Sequence, residues 1–384
     1  MPGRVREECF VMSIRIHRIR MHGLTMAAAL ATVVIGGNAF AAGVKLLTTI
    51  DIPGEELKLF DIGTVDVAAG RYYIADRSNK GVDIFDTKTN KYVGRVDGFV
   101  GVVMKDGKPV GSASGPNGVA LDPKNHELWV GDGDSTLKVI DLKSNPPKIS
   151  QTIVTGGTKR ADELAVDTKD GIVLVFNNAD KPTFGLFVST KPGHKVLGKL
   201  EIPEATDGAE QSAFVPQSGL FYSSIPEWKE DNKQGGVAVI DPKTMKMLRL
   251  INIPGCQPTG LMQGPGTNML VGCAAGQDGT KMDPATVVWD WKTEKVVNVV
   301  NEVGAMDEVW YDSGSNHYYT ASRGQPGGPV LGVIDAKTNK WIENVPTAPG
   351  AHSVAADSKT KHAFVPLTAN PSCPKSCIGV YGEK

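Results

Sequence analysis

Two acidic pairs stand at the start of apolar, strand-like runs in distant parts of the chain. Asp162 and Glu163 begin the run in RADELAVD (160–167), and Asp307 and Glu308 begin the run in AMDEVWYD (305–312). Neighbouring carboxylates can bind a metal ion or act in general acid–base catalysis. Acids that precede a strand can also cap the backbone N–H groups of a loop and have no other role. The choice between these roles depends on the elements that position the two pairs.

Those elements belong to a repeat that runs along most of the chain. The segment VDIFDTKTNKYVGRV (82–96) recurs with changes at 137–153, 184–202, 237–253, 286–300 and 331–345, and a shortened copy, CIGVYGEK, ends the sequence. Each copy has two β-branched runs around a polar turn, which is typical of a β-hairpin. Another pair of short runs precedes each copy, as in NGVALDPKNHELWVGD (117–132). Four strands in about 48 residues, repeated seven times, predict a seven-bladed β-propeller.

The two ends of the repeat region complement each other. The last copy lacks an outermost strand, and VKLLTTIDI (44–52) has no repeat of its own. We therefore expect this N-terminal strand to complete the last blade, which would close the ring and protect its edges. The predicted fold is all-β, with residues 42–384 forming one seven-bladed β-propeller.

Particular turns and strands resemble a known family. IDPKT and IDAKT, with RYYIAD and NHYYTAS in the preceding strands, resemble the YVTN or YncE-like propeller family over residues 44–384. CQPTGLMQGP and PGGPVLGVIDAKTNKWIENVPTAPGAHSVAAD are similar to an exported bacterial subgroup of it. The YVTN tetrapeptide itself is replaced by YIAD, WVGD and YTAS. The resemblance implies the propeller fold but no single function, because this class includes binding proteins, lactonase-like enzymes and cofactor-bearing subunits.

The first 41 residues differ in kind from the rest. Arg15, Arg18 and Arg20 precede the apolar stretch LTMAAALATVVIGG (24–37), and Ala39-Phe40-Ala41 has the small-x-small pattern of a cleavage site. This order predicts a secretory signal peptide at 1–41 and a periplasmic or secreted protein. A membrane anchor fits less well, because the apolar run is shorter than the ~20 residues that span a bilayer. We expect no membrane span after cleavage, since no second long apolar segment follows.

Charge and cysteine content narrow the possible partners. Removal of residues 1–41 leaves 36 basic and 40 acidic side chains without a basic cluster, so nucleic acid is not an expected partner. Four cysteines remain, and an even number in an exported chain predicts two disulfides. Of the three possible connectivities we expect the local one, Cys256–Cys273 and Cys373–Cys377. Their spacing does not match a zinc knuckle.

The repeat also places one polar residue of every blade at the same position. When the innermost strands are aligned on the residue that ends each of them, five positions back lie Asp61, Asn117, Asp162, Glu210, Thr259, Asp307 and His352. We call these seven residues the ring, and we call the face of the propeller at which the innermost strands begin the upper face. We expect the ring at the mouth of the central channel on that face. The longer loops should lie on the same face: 98–116, 177–183, 226–236, 274–285, 323–329 and 368–377. Elaborated loops on a rigid scaffold mark a functional face.

The composition of the ring predicts a chemistry. Several acids in a narrow channel repel one another unless a cation or protons intervene. We therefore predict a divalent metal, calcium, magnesium or manganese, with the ligands Asp61, Asn117, Asp162, Glu210 and Asp307. His352, Glu163 and Glu308 are candidate catalytic acid–base residues. Asn177, Trp228 and Arg323, on upper loops, are candidate substrate contacts.

Two functions fit these residues. The first is a metal-assisted hydrolase or lyase that acts on a lactone, an ester or a similar small molecule, in a plan that resembles propeller lactonases and streptogramin lyases in architecture but shares no motif with them. The second is a non-catalytic periplasmic protein that binds a small ligand or another protein. A purely structural interpretation, in which each ring residue caps a loop, also stays open. The sequence has no phosphate-cradling loop, G-x-S-x-G turn, C-x-x-C-H motif or H-E-x-x-H motif, which disfavours other chemistries.

Overall fold

The computed structural model describes residues 43–230, 235–274 and 285–383. The predicted signal peptide at 1–41 lies outside the described residues, as does most of the predicted loop 274–285. Within the described ranges the strands form seven four-stranded antiparallel sheets and one two-stranded sheet. No helix in these ranges is both long enough and apolar enough to cross a bilayer.

Each blade is a meander of four consecutive strands, except the last. The N-terminal strand is β1 (Lys45–Asp51). Blade 1 contains β2 (Gly63–Asp66), β3 (Arg71–Asp76), β4 (Gly81–Asp86) and β5 (Lys91–Asp97). A loop with β6 (Met104–Lys105), β7 (Lys108–Pro109) and a short 3-10 helix (Gly111–Ala113) leads to blade 2. Blade 2 contains β8 (Val119–Asp122), β9 (Glu127–Gly131), β10 (Thr136–Asp141) and β11 (Lys148–Val154).

The remaining blades follow the same order. Blade 3 contains β12 (Leu164–Asp167), β13 (Ile172–Asn177), β14 (Thr183–Ser189) and β15 (Val196–Ile202). Blade 4 contains β16 (Ser212–Val215), β17 (Leu220–Ile225), β18 (Gly236–Asp241) and β19 (Lys246–Asn252). Blade 5 contains β20 (Pro258–Gln263), β21 (Asn268–Cys273), β22 (Thr286–Asp290) and β23 (Lys295–Val300). Blade 6 contains β24 (Val309–Asp312), β25 (His317–Ser322), β26 (Val330–Asp335) and β27 (Lys340–Pro346). Blade 7 contains β28 (Ala355–Asp357), β29 (His362–Leu367) and β30 (Cys377–Gly382).

The two ends of the described chain meet in blade 7. Strand β1 pairs antiparallel with β30 and becomes the outermost strand of that blade, so its order is β1-β30-β29-β28. The register runs from Lys45 opposite Gly382 to Asp51 opposite Cys377. The prediction that the N-terminal strand closes the ring is therefore confirmed.

The repeated Asp-x-Lys-Thr turns connect the third and fourth strands of a blade. In blade 6 the Asp335 carboxylate accepts the backbone N–H groups of Lys337 and Thr338, at 2.9 and 2.7 Å. A register shift recurs within the same hairpin in blades 1 to 6, and such a bulge increases the local twist. The repeated aspartates thus stabilise turns at the end of the blades remote from the ring.

Hydrophobic side chains pack between neighbouring blades. Among the described residues there are seven clusters of buried side chains, one at each interface between blades. At the interface of blades 2 and 3, for example, Trp129 packs with Leu164 and Val173. Burial of this apolar surface provides most of the driving force for folding and makes the propeller a rigid scaffold. Polar side chains occupy the centre of the propeller.

Both predicted disulfides are present. The Cα atoms of Cys256 and Cys273 are 5.0 Å apart, and those of Cys373 and Cys377 are 5.8 Å apart. Cys256 precedes β20 and Cys273 ends β21. The first disulfide therefore joins the start of the innermost strand of blade 5 to the end of its second strand, on the side of the blade where the ring lies. Of the three possible connectivities, the local one is therefore confirmed.

Candidate functional site

A cavity of about 690 Å³ opens at the end of the central channel where the inner strands begin. Its walls come from the loops that precede the inner strands and from the loops that follow the second strands. Six ring residues line it: Asp61, Asp162, Glu210, Thr259, Asp307 and His352. The seventh, Asn117, is fully buried beside it. The structure thus brings the predicted ring together around one cavity.

A shared backbone contact gives the ring residues their common position. The N–H of Asp61 donates to the carbonyl of Ala75 at 2.9 Å, and the N–H of Glu210 donates to that of Ser224 at the same distance. The corresponding bond of Asp162, to Phe176, is 2.8 Å long. These bonds extend the pairing between the first and second strands by one step. Side chains at this position therefore lie at the cavity, and those of every blade except blade 2 line it.

Three guanidinium groups lie among the acids of the ring. Arg77 forms an ion pair with Asp61 and also donates to Asn117 Oδ1, from Nε at 3.0 Å and from Nη2 at 2.6 Å. Arg160 Nη2 lies 2.5 Å from Asp162 Oδ2. Arg323 Nη1 lies 3.1 Å from Asp307 Oδ2. Each ring aspartate thus has its own basic partner.

Arg323 was a predicted contact residue, whereas Arg77 and Arg160 had no predicted role. Arg77 and Arg323 occupy the same repeat position, the first residue after the second strand of blades 1 and 6. Sequence reasoning missed Arg77 because it follows a strand directly in a short loop, and only long loops were considered. An alignment of the second strands, in addition to the inner ones, would have found the pair. Blade 4 has Pro226 at this position, so Glu210 has no equivalent partner.

Glu163 and Glu308 occupy equivalent positions but differ in their contacts. Glu308 Oε2 accepts hydrogen bonds from Ser353 Oγ at 2.6 Å and from the backbone N–H of Val354 at 3.1 Å. Ser353 Oγ in turn accepts the N–H of Gly63 at 3.0 Å, so this network joins blades 6, 7 and 1. Glu163 lines the cavity, is 6% exposed, and receives no hydrogen bond on its carboxyl group from any described residue.

Burial changes the protonation of these acids. Burial raises the pKa of Glu163 and of Glu210 well above the usual range, and the charge of Asp162 raises both further. Burial also raises the pKa of Asp162 to about 6, although Arg160 opposes this shift. For Asp61 burial opposes ionisation, but Arg77, His352 and Arg160 together outweigh it and hold the pKa of that carboxyl well below its usual range. Ionised and protonated carboxyl groups therefore share one cavity near neutral pH.

His352 lies at the edge of the cavity with both ring nitrogens facing oxygen atoms. Its Nδ1 lies 2.7 Å from the carbonyl oxygen of Gly350, and its Nε2 lies 3.6 Å from Asp61 Oδ1. The imidazole of His352 stacks on the Phe60 side chain, with ring centroids 4.6 Å apart. A hydrogen bond to the Gly350 carbonyl requires a proton on Nδ1, because a carbonyl oxygen can only accept. At 3.6 Å the contact of Nε2 with Asp61 is longer than a hydrogen bond.

Two of the predicted contact residues lie outside the cavity. Asn177 is fully buried, and its Nδ2 donates to Ser135 Oγ at 2.8 Å and to the carbonyl of Lys159 at 3.0 Å. Trp228 lines a shallow groove with residues of β15 and β19, the outermost strands of blades 3 and 4. The structure therefore brings Arg323 to the ring but not Asn177 or Trp228.

The predicted metal ligands can be compared with their contacts. The carboxylates of Asp61, Asp162 and Asp307 are paired with guanidinium groups, and Asn117 Oδ1 accepts from Arg77. Of the five predicted ligands, this leaves Glu210 without a basic partner. Within the described ranges no group of three or more His, Cys, Asp or Glu side chains is arranged to hold a metal ion. In this arrangement the residues do not fit a divalent ion.

Comparison with known proteins shows the fold. The chain is similar to a solved structure of hydrazine synthase from Kuenenia stuttgartiensis, with a TM-score of 0.64 and 13% identity over 82% of this chain and 95% of that one. It is also similar to a chain of a mitotic checkpoint complex, with a TM-score of 0.64 and 11% identity over 97% and 99% of the two chains. No protein-family model and no curated protein sequence matches the chain. At these identities the likeness concerns the β-propeller alone.

Proposed function

We propose that the central cavity binds a small polar molecule and that the protein acts as a ligand-binding propeller. The supporting observation is the convergence of charged ring residues from blades 1, 3, 4, 6 and 7 on a cavity of about 690 Å³. Ligand sites in proteins usually have volumes of about 300 to 1,000 Å³ and a few convergent polar groups. The rigid packing between blades holds these groups in place before a ligand arrives, which reduces the entropic cost of binding.

A hydrolase or lyase acting on a lactone, an ester or a similar molecule is the second candidate function. The observation that favours it is the mixture of protonation states in one cavity. The Asp162 carboxyl, with a pKa of about 6, could accept a proton from water near neutral pH. Arg323 could stabilise the negative charge that develops on a carbonyl oxygen, and His352 could transfer a proton to the departing oxygen.

The metal enters neither candidate as a required part. Carboxylate and amide oxygens suit calcium, magnesium and manganese, but a divalent ion here would have to displace guanidinium groups from Asp61, Asp162 and Asp307. Chemistry in this cavity would therefore depend on the chain's own acids and guanidinium groups. The divalent metal stays a prediction from the sequence, and the metal content of the purified protein is its test.

We extend the proposal to location and family. The signal-like pattern at 1–41 supports export to the periplasm or beyond, and two disulfides suit an oxidising compartment. Membership of the YVTN or YncE-like family rests on the turn and strand motifs. A protein partner at the upper loops is a further outcome that a pull-down with the exported protein would reveal.

A panel of four-carbon probes tests the binding proposal. We would titrate the protein calorimetrically with 4-aminobutanoate, butylamine, 1,4-butanediol, succinate and γ-butyrolactone. We expect saturable 1:1 binding of at least one probe, weakened in Arg323→Ala. The matched control is Arg249→Ala, because Arg249 has a similar exposure, 45% against 46%, and pairs with Glu294 on the outer face. The absence of saturable binding across the panel would contradict the proposal.

Catalysis has a separate readout on the same proteins. Hydrolysis of γ-butyrolactone and of p-nitrophenyl acetate would be followed with and without Arg323→Ala. A turnover that Arg323→Ala reduces and Arg249→Ala leaves unchanged would favour the hydrolase. Binding without turnover would favour the non-catalytic function.

A further inference from the structure

The acids and bases of the cavity are not matched evenly around the ring. Blades 1 and 6 each supply an aspartate and an arginine at equivalent repeat positions, Asp61 with Arg77 and Asp307 with Arg323. Lys58 and His352 lie on the same side. Blades 3 and 4 supply Glu163 and Glu210 in addition to the pair Arg160–Asp162. We call Glu163 and Glu210 the acidic wall.

We infer that the acidic wall is a subsite for the ammonium group of a small organic amine. This inference rests on the proposed function, because it specifies the ligand class of the same cavity. Four observations support it: the burial of Glu163, the missing partner of Glu210, the size of the cavity and the pairing of the other acids.

Glu163 is the first of these observations. Its side chain lines the cavity and is more than nine-tenths buried, yet no described residue donates a hydrogen bond to its carboxyl group. The polar neighbour that could have done so is Gln211, which holds the position of Ser353 in the next blade. Gln211 is committed elsewhere, because its Nε2 donates to the carbonyl of Val309 at 3.1 Å and its Oε1 accepts the N–H groups of Leu261 and Val309 at 2.7 and 3.1 Å. A buried carboxyl group without donors is costly unless a ligand supplies them.

Glu210 lacks a partner for a different reason. The residue at the position of Arg77 and Arg323 in its blade is Pro226, which carries no charge and no donor. The carboxyl group of Glu210 receives one hydrogen bond from a described residue, a long contact of 3.5 Å from Asn178 Nδ2. Arg160 lies nearby but is paired with Asp162. The two carboxyl groups of the acidic wall therefore both have acceptor capacity facing the cavity.

The chemistry of an ammonium group matches this wall. An alkylammonium carries one positive charge and three donors, so it can bond to two carboxyl groups at once. A hydrogen bond with one ionised partner is roughly twice as strong as a neutral one, so an ammonium group bonds strongly to a carboxyl oxygen whether or not that carboxyl holds a proton, and the bond is strengthened further where water is excluded. The cavity is far larger than an ion, so the remainder of an organic amine has room beside the wall.

A bare divalent cation fits the wall less well than an amine. The side formed by blades 6, 7 and 1 carries Arg77, Arg323 and Lys58, whose charges repel a dication twice as strongly as a monocation at the same distance. The other acids that a divalent ion would need are paired with guanidinium groups. An amine instead leaves those pairs intact and places its other end toward Arg323, whose side chain is 46% exposed.

The closing experiment titrates 4-aminobutanoate and butylamine into the protein and into Glu163→Gln and Glu210→Gln. The neutral isostere 1,4-butanediol and the anion succinate serve as ligand controls. Glu201→Gln, an exposed glutamate on β15, serves as the protein control. We expect each wall variant to weaken amine binding at least tenfold, with Glu201→Gln unchanged. Thermal unfolding checks that each variant is folded.

The outcomes separate this inference from the function on which it rests. Amine binding that depends on Glu163 and Glu210 supports both. Binding of succinate, 1,4-butanediol or γ-butyrolactone without amine binding keeps the ligand-binding function and overturns the inference. Amine binding that survives in both wall variants also overturns it. A folded protein that binds no probe overturns both proposals.

Discussion

Blade 3 and blade 6 carry the same acidic dipeptide at the same place and use it differently. In blade 6 Glu308 bonds to Ser353 and Val354 of the next blade, whereas in blade 3 Glu163 faces the cavity without a described donor. The difference lies in the following blade. Ser353 turns toward Glu308, but its counterpart Gln211 turns toward Leu261 and Val309 of blades 5 and 6. The repeat thus determines the position of a side chain, and a residue of the next blade determines whether that side chain is bonded within the protein or has its carboxyl group open to a ligand.

The largest test of this contrast is the removal of each glutamate. We expect Glu308→Ala to lower the free energy of unfolding by about 3 kcal/mol, because it leaves Ser353 and the Val354 N–H unsatisfied and opens a cavity. Glu163→Ala should cost about 1 kcal/mol or less, since no described hydrogen bond is lost. Urea denaturation of both variants measures the two values. Equal losses would remove the distinction between the two blades.

The arginines provide the next largest difference. Arg160 and Asp162 are both largely buried, so Arg160→Ala should cost about 2 kcal/mol by leaving the buried Asp162 without its partner. The pair Arg323–Asp307 is more exposed, and Arg323→Ala should change stability by about 0.5 kcal/mol or less. Thermal unfolding at low and high salt checks both. A larger loss for Arg323→Ala would reverse the assignment of the buried and exposed pairs.

A third test uses pH. Burial raises the pKa of Glu163 in the folded protein, so the folded state holds its proton at pH values where the unfolded chain has released it. Stability should therefore fall as pH rises above the unfolded pKa of ~4.3, by at most about 1.4 kcal/mol per pH unit for one proton. Glu163→Gln should lose this part of the slope. Glu201→Gln should retain it, and an unchanged slope in Glu163→Gln would show that Glu163 does not retain its proton on folding.

The smallest expected effect concerns metal. Because guanidinium groups compensate Asp61, Asp162 and Asp307, we expect a chelator to leave the melting temperature unchanged within about 1 °C. Elemental analysis of the purified protein for calcium, magnesium and manganese accompanies this measurement. A stoichiometric metal and a clear loss of stability on chelation would support the sequence-based metal prediction and would require the ion pairs to open.

Much of the fold could be predicted from the sequence because hairpin turns and strand alternation are local signals. Repeated turns such as the one at Asp335 predicted the number of blades. The N-terminal strand that ends near Asp51 has no repeat of its own, and it predicted the closure of the propeller. The ring followed from the same alignment, since residues five positions before the end of each inner strand share a register. The cysteine pairs followed from their proximity along the chain.

The partners of the ring residues could not be predicted in the same way. Arg77 reaches Asp61 from the next loop and also contacts Asn117 of the neighbouring blade, so its role depends on distances between blades. Whether Glu163 is satisfied depends on the orientation of Gln211, a rotamer that no alignment records. Sequence reasoning therefore gave acids in need of a cation, and the structure provides that cation for the aspartates in the form of arginines.

The pairing of β1 with β30 has a consequence for the order of folding. Residues 45–51 leave the ribosome before the rest of the propeller, but their partners at 377–382 emerge more than 300 residues later. The propeller stays open until then, and the edge of β1 has no partner during the whole interval. Complete closure, and with it a fully assembled cavity, must follow synthesis of the last strand. If the chain crossed a membrane starting from its N-terminus, its propeller would remain open until nearly the whole chain had crossed.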